Sequence, residues 1–166
     1  DDAAAGIVRS AYGMGGQKCS ALSRLYVHER IADALIVKLK QQMAAVRIGD
    51  PTKREHWLGP VINAAACANY ARYVGELGAS GARVIVGGSQ PRDGDRAHGH
   101  YVEPVLAEAP ATHPLWKHEM FLPILMLHRV ADREAAMRLA NDADLGLTAG
   151  FYGEDDTKVR EALTSG

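Results

Sequence analysis

Cys19 stands in a stretch of small and flexible residues, Gly-Gly-Gln-Lys-Cys-Ser-Ala over residues 15–21. The glycines before it and the small residues after it leave room for a substrate carbonyl to approach the sulfur. A free thiol has a pKa of about 8.5, and backbone N–H groups or a nearby cation lower it, which makes more thiolate at neutral pH. The stretch therefore predicts a nucleophile, against the more common alternative that a single cysteine is a buried structural thiol.

A series of short motifs follows Cys19 along nearly the whole chain. In order they are Arg24 and Val27, Gly49-Asp50-Pro51, Gly59-Pro60, Gly87-Gly88, Gly99-His100-Tyr101-Val102-Glu103-Pro104, Glu119-Met120-Phe121-Leu122-Pro123, Ala140-Asn141 and Gly146-Leu147-Thr148-Ala149-Gly150. Each motif alone is weak, but the ordered series closely resembles the catalytic domain of the NAD(P)-dependent aldehyde dehydrogenase superfamily. Within it, residues 3–13 followed by Gly-Gln-Lys-Cys-Ser-Ala look most similar to the 1-pyrroline-5-carboxylate (L-glutamate γ-semialdehyde) dehydrogenases.

The resemblance implies oxidation of L-glutamate γ-semialdehyde to L-glutamate in proline degradation, with NAD as the acceptor and NADP left open. The Cys19 thiolate would attack the aldehyde carbon, the thiohemiacetal would lose hydride to the nicotinamide, and water would hydrolyse the thioester. In the family, the oxyanion is held by the backbone N–H of the cysteine and by an Asn of the cofactor-binding domain. Neither that Asn nor the family's general base, a Glu of the same domain, has a matching position here.

Three further site residues follow from the resemblance. Glu119 and Phe121 match a Glu-x-Phe-Gly-Pro signature, in which the Glu accepts hydrogen bonds from the nicotinamide ribose and the Phe lies near the nicotinamide ring. Leu122 replaces the Gly of that signature, which puts the conformation of the loop in question. Ser20 matches a serine that helps to hold the substrate α-carboxylate. Without the resemblance, the ordinary interpretations are that Glu119 is solvated, that Phe121 belongs to the core and that Ser20 is selected for its small size.

Two alternatives to this activity remain open. One is an aldehyde dehydrogenase for another semialdehyde, and the other is a segment that folds and associates but supplies no chemistry when isolated. The sequence opens on Asp1 without an initiator Met and ends on Gly166. We expect residues 1–166 to be the cysteine-bearing catalytic domain of a longer chain, with the Rossmann domain elsewhere in that chain. The resemblance also implies a homo-oligomer.

Composition narrows the classes of partner. The formal net charge is -1, so there is no basic surplus to neutralise nucleic-acid phosphates. No apolar run approaches the roughly 20 residues that span a bilayer, which predicts no membrane partner. The histidines lack metal-site spacing, so we expect no metal. The resemblance implies a small aldehyde as the partner. The low cysteine content indicates a reducing compartment, the cytoplasm, or the mitochondrial matrix in a eukaryote.

Hydrophobic periodicity predicts alternating helices and strands. We expect helices over 3–12, 31–46, 63–77 and 133–141, and a last helix from Asp155. Asn63 and Asp132 are the predicted N-caps, and Gly78 is the predicted end of its helix. Strands are predicted over 22–28, 83–86 (buried), 101–106 (at an edge because of Pro104), 123–130 and 147–152. This alternation predicts an α/β, three-layer domain with a largely parallel sheet flanked by helices. Cys67, on an apolar helix face, is predicted to be inert core.

Overall fold

Two sets of apolar side chains, one on each face of a four-stranded sheet, form the core of this computed structural model. The structure describes residues 1–164, without the side chains of Asp156, Ala162 and Leu163. The strands are β1 (Arg24–His28), β2 (Arg83–Val86), β3 (Val105–Glu108) and β4 (Ile124–Val130). Their order is β1-β4-β3-β2, with β4 parallel to both β1 and β3, and β2 antiparallel to β3.

Five α-helices accompany the sheet in the described residues: α1 (Asp2–Tyr12), α2 (Glu29–Ala44), α3 (Ala64–Ala79), α4 (Arg133–Asn141) and α5 (Asp156–Thr164). Two short 3-10 helices cover Gly94–His98 and Pro114–Lys117, and Gly13–Gly16 forms a tight turn. No helix within residues 1–164 is long and apolar enough to cross a membrane.

The alternation of side chains along β4 divides the core into two layers. Successive side chains of a strand point to opposite faces. Ile124 and Met126 pack in the cluster that contains the inner face of α3, whereas Leu125 and Leu127 pack with α1 and α2 on the other side. The predicted three-layer α/β architecture with a largely parallel sheet is therefore confirmed.

The helix starts follow the predicted caps. Asn63 Oδ1 accepts from the N–H of Ala66 at 2.9 Å, and Asp132 Oδ1 accepts from the N–H of Ala135 at 2.7 Å. The predicted end of α3 is wrong, because the helix continues through Gly78 to Ala79. The left-handed glycine is Gly81 (φ +84°), and the N–H of Ala82 donates to Leu77 O at 2.9 Å, which closes the helix end.

Three strand predictions need correction. The strand predicted over 101–106 begins only after Pro104 and lies inside the sheet, where β4 and β2 flank it, because a proline outside the strand removes no ladder donor. β2 is a partly exposed edge strand rather than a buried one. Residues 147–152 form no strand, because no described strand pairs with them. Their contacts are made by side chains instead, as where Thr148 Oγ1 donates to Ser20 O.

An ion-pair network joins three strands to α2. Glu108 accepts from Arg129 Nε at 2.6 Å and from Arg83 Nη2 at 2.7 Å, while Arg129 Nη2 donates to Asp33 at 2.6 Å. The hydrogen bond from Arg129, with a further contribution from Arg83, holds the pKa of Glu108 below its usual range. The Glu108 side chain is 22% exposed, so solvent screens these interactions less than it screens a fully exposed pair.

Glu108→Gln should lower the free energy of unfolding at pH 7 by about 1 kcal/mol, because both charge-assisted hydrogen bonds are weakened. A lowered folded-state pKa stabilises the fold above the unfolded-state value of about 4.3, and this stabilisation is lost as the pH falls through the folded-state value. Urea unfolding should therefore show a difference at pH 7 that is smaller at pH 3. Glu76→Gln, which removes the exposed Arg72–Glu76 pair, is the control and should change little. An equal loss at both pH values would contradict this account.

Candidate active site

The loop that carries Cys19 begins where α1 ends, and we call residues 13–21 the Cys19 loop. Tyr12, the last residue of α1, is fully buried and donates to Val105 O at 2.9 Å, which fixes the start of the loop against β3. Burial raises the pKa of Tyr12, so its hydroxyl remains a donor. Met14, Gly15 and Gly16 follow with φ of 55°, 68° and 67°, and these left-handed residues reverse the chain.

Cys19 lies at the surface of the turn that follows. Its side chain is exposed, and the N–H of Ala21 donates to Lys18 O at 3.0 Å across the turn. Within residues 1–164, the backbone N–H of Cys19 donates to no acceptor. The turn thus presents a thiol and a free backbone donor together. This is the arrangement that a nucleophile and the oxyanion formed from its target require.

Gln17 links the Cys19 loop to the segment before α3. Its Nε2 donates to Met14 O at 3.1 Å, and its Oε1 accepts from the N–H of Ile62 at 2.8 Å. An amide side chain can donate and accept at once, which no aliphatic residue of this size could do. The sequence places Gln17 in the cysteine motif but does not reveal this role, because Ile62 is its partner only in the folded chain.

The second predicted motif lies directly against the Cys19 loop. We call residues 118–123 the Glu119 loop. A Cβ atom on Gly16 would lie 2.3 Å from the carbonyl oxygen of Leu122 and 2.9 Å from the nitrogen of Pro123. Only a residue without a side chain permits this approach of the two backbones. The structure therefore brings together two motifs that are far apart in the sequence.

Side chains of the Glu119 loop alternate between solvent and core. Glu119 is exposed and Phe121 is 47% exposed, whereas Met120 and Leu122 are buried at 6% and 5%. The ordinary interpretation of Phe121 as core is thus wrong for the described chain. Leu122 fits in place of the family Gly, because the left-handed residue is Phe121 (φ +57°) and Leu122 fills the α3 side of the core.

The remaining residues that the sequence singled out, Ser20 and Cys67, lie in different environments. Ser20 lies beside Cys19, and its carbonyl accepts from Thr148 Oγ1 at 3.4 Å. Cys67 is 5% exposed and donates from Sγ to Gln90 Oε1 at 3.3 Å, so its predicted burial is confirmed. No group of three or more potential metal ligands converges in the described part of the chain.

The candidate site is an open surface with an apolar surround. Met14, Ile62 and Phe121 are 72%, 79% and 47% exposed, and the contacts of Gln17 and Gly16 join the segments that carry them. Two cavities lie elsewhere: one of about 580 Å³ beside His56 and Asp95, and one of about 410 Å³ beside Trp116. Neither includes Cys19 or Glu119 in its lining.

Comparisons with known proteins show what this chain is similar to. The sequence model of the aldehyde dehydrogenase family matches residues 1–165. The chain is 31% identical over 163 residues to 1-pyrroline-5-carboxylate dehydrogenase 1 of Halalkalibacterium halodurans, an alignment that covers 98% of this chain and 31% of the relative. It is also 32% identical over 149 residues to a D-glyceraldehyde dehydrogenase (NADP(+)) of Picrophilus torridus. That alignment covers 89% of this chain and 30% of the relative.

A solved structure has the same fold. The 1-pyrroline-5-carboxylate dehydrogenase from Thermus with bound NAD superposes with a TM-score of 0.88 at 31% identity, over 98% of this chain and 30% of that one. The chain spans about a third of the length of the curated relatives it matches.

Proposed function

Because the chain belongs to the aldehyde dehydrogenase family, we propose that it is the cysteine-bearing catalytic part of an enzyme that oxidises L-glutamate γ-semialdehyde to L-glutamate with NAD. The observation that carries the proposal is the contact between Gly16 and Leu122. It joins the loop of an exposed cysteine to the loop that displays Glu119 and Phe121. A nucleophile and a candidate cofactor surface therefore share one junction.

Cys19 supplies the covalent chemistry in this proposal. Its thiolate adds to the aldehyde carbon, and the free N–H of Cys19 donates to the oxyanion that forms on the former carbonyl oxygen. Bound NAD would accept the hydride that the thiohemiacetal loses as it becomes a thioester. Water then attacks the thioester carbon, which releases the carboxylate product and returns the thiol.

Glu119 and Phe121 fit a nicotinamide riboside. The Glu119 carboxylate is exposed and has no hydrogen-bond donor within residues 1–164, so it can accept from vicinal ribose hydroxyls. The half-exposed ring of Phe121 offers an apolar surface to a flat heterocycle. NADP is the alternative, as the name of the relative from Picrophilus torridus indicates for that protein.

Ser20 carries the proposal for the substrate. It follows the nucleophile directly, and its side-chain hydroxyl makes no hydrogen bond within the described residues, so it can donate to a substrate carboxylate. The names of the relatives include both 1-pyrroline-5-carboxylate and D-glyceraldehyde. We further propose that a Rossmann domain of the same chain completes the site, in a cytoplasmic homo-oligomer.

Ser20→Ala should raise KM for L-glutamate γ-semialdehyde about tenfold or more and leave KM for propanal unchanged. The reason is that propanal has no carboxylate, whereas a hydrogen bond to a charged group contributes about 1.5–3 kcal/mol. Stopped-flow NADH formation by the protein that contains this chain measures both constants. The unmodified protein should prefer the semialdehyde. Equal use of propanal, or an equal effect of Ser20→Ala on both aldehydes, would contradict the substrate assignment.

A further inference from the structure

The residue just before Glu119 is tied to helix α3. The Tyr73 hydroxyl and His118 Nε2 lie 2.6 Å apart, and the two rings contact each other with their centroids 5.3 Å apart. Tyr73 is 4% exposed and belongs to the core cluster of α3, and the Arg72 guanidinium lies 4.2 Å above its ring. A buried side chain of the core thus holds an exposed side chain of the Glu119 loop.

The Glu119 loop needs such an anchor because its backbone makes few hydrogen bonds. Within the described residues, the N–H groups of Glu119, Met120 and Phe121 donate no hydrogen bond. Phe121 also has a left-handed φ of +57°, which an L-residue with a bulky side chain adopts only when its surroundings impose it. The constraints come instead from side chains and packing: Met120 and Leu122 are buried in the core, Leu122 lies against Gly16, and at the start of the loop His118 is held by Tyr73.

We infer that Tyr73 and His118 are positioning residues that fix the Glu119 carboxylate in its cofactor-binding orientation, so that the Tyr73–His118 hydrogen bond sets the affinity for NAD. The inference rests on the proposed function. Neither side chain touches the reacting atoms in this account. Their loss should therefore weaken cofactor binding far more than it slows the chemical step at Cys19.

Tyr73→Phe tests the inference, because it removes the hydroxyl and keeps the buried ring. We expect the Kd and KM for NAD to rise about tenfold, the equivalent of one hydrogen bond, with kcat changed less than about twofold. Hydrogen exchange at the amides of residues 119–121 should accelerate. Titration of the full protein with NAD, steady-state kinetics and exchange measured by mass spectrometry give the three readouts.

Tyr70→Phe is the matched control. Tyr70 lies on the same helix, is fully buried, and donates to Glu103 O at 2.7 Å, away from the Glu119 loop. It should lower the melting temperature about as much as Tyr73→Phe does, without any change in NAD affinity. His118→Gln, which keeps a hydrogen-bonding group near the position of Nε2, should retain most of the affinity that His118→Leu loses.

Two results separate this inference from the proposed function. If Tyr73→Phe and Tyr70→Phe lower stability equally and neither changes NAD affinity or exchange at residues 119–121, the positioning role is overturned. If the unmodified protein binds no NAD, the proposed function fails. The exchange rates of Tyr73→Phe then still decide whether the hydrogen bond orders the loop.

Discussion

Replacement of Cys19 by alanine is expected to abolish aldehyde-dependent NADH formation, with a loss of about 10⁴-fold or more in kcat. The thiol is the nucleophile of the proposed reaction, and the described chain has no substitute for it. Cys67 is 5% exposed, lies on the core side of α3 and donates a hydrogen bond to Gln90. Without a thiohemiacetal there is no hydride to transfer, so even the first turnover should disappear. Single-turnover absorbance of the protein that contains this chain measures the burst directly.

The matched control is Cys67→Ala, which removes the other thiol. It should leave the burst intact and cost a small amount of stability, as expected for the loss of a packed sulfur. Alkylation supplies a second test, because iodoacetamide should modify exposed Cys19 much faster than Cys67 near pH 7. NAD affinity should survive Cys19→Ala, since Glu119 and Phe121 are untouched. A normal burst in Cys19→Ala would remove Cys19 from the mechanism.

Local signals predicted the helices of this fold well. Asn63 and Asp132 cap their helices as expected, because a cap is a contact between residues three apart in the chain. The wrong strand predictions depend on distant partners. Residues 147–152 have the composition of a strand, but a strand also needs a ladder, and no described strand supplies one. The interior position of β3 likewise depends on β2 and β4.

The candidate site shows the same division. The resemblance carried by residue types and their order predicted Cys19, Ser20, Glu119 and Phe121 as site residues, because a motif is a local property of the sequence. The contacts that hold these residues could not be read in this way. Gln17 forms a hydrogen bond with Ile62, and His118 forms one with Tyr73. Both hydrogen bonds form only when the chain folds. Leu122 is an example. Its replacement of the family Gly could be explained only after the structure placed the left-handed φ at Phe121 rather than at Leu122.

Gly16→Ala should disrupt both the fold and the proposed site. The new Cβ would lie 2.3 Å from the carbonyl oxygen of Leu122, a backbone atom that cannot rotate away as a side chain could. The residue also has a φ of +67°, which costs an alanine about 1–2 kcal/mol. We expect the free energy of unfolding to fall by about 2 kcal/mol or more, which urea unfolding measures. The loops must move apart, and a displacement of about 1 Å can lower catalysis about 10²-fold.

Gly13→Ala distinguishes this contact from a general effect of alanine in the Cys19 loop. Gly13 has a φ of -55°, and its added Cβ would meet only Lys18 Nζ at 3.7 Å, an ordinary contact with a flexible side chain. Stability and NADH burst should therefore stay close to those of the unmodified protein. If Gly16→Ala also left both unchanged, the Cys19 and Glu119 loops would tolerate separation. The junction of Gly16 with Leu122 would then not be what aligns the nucleophile with the cofactor surface.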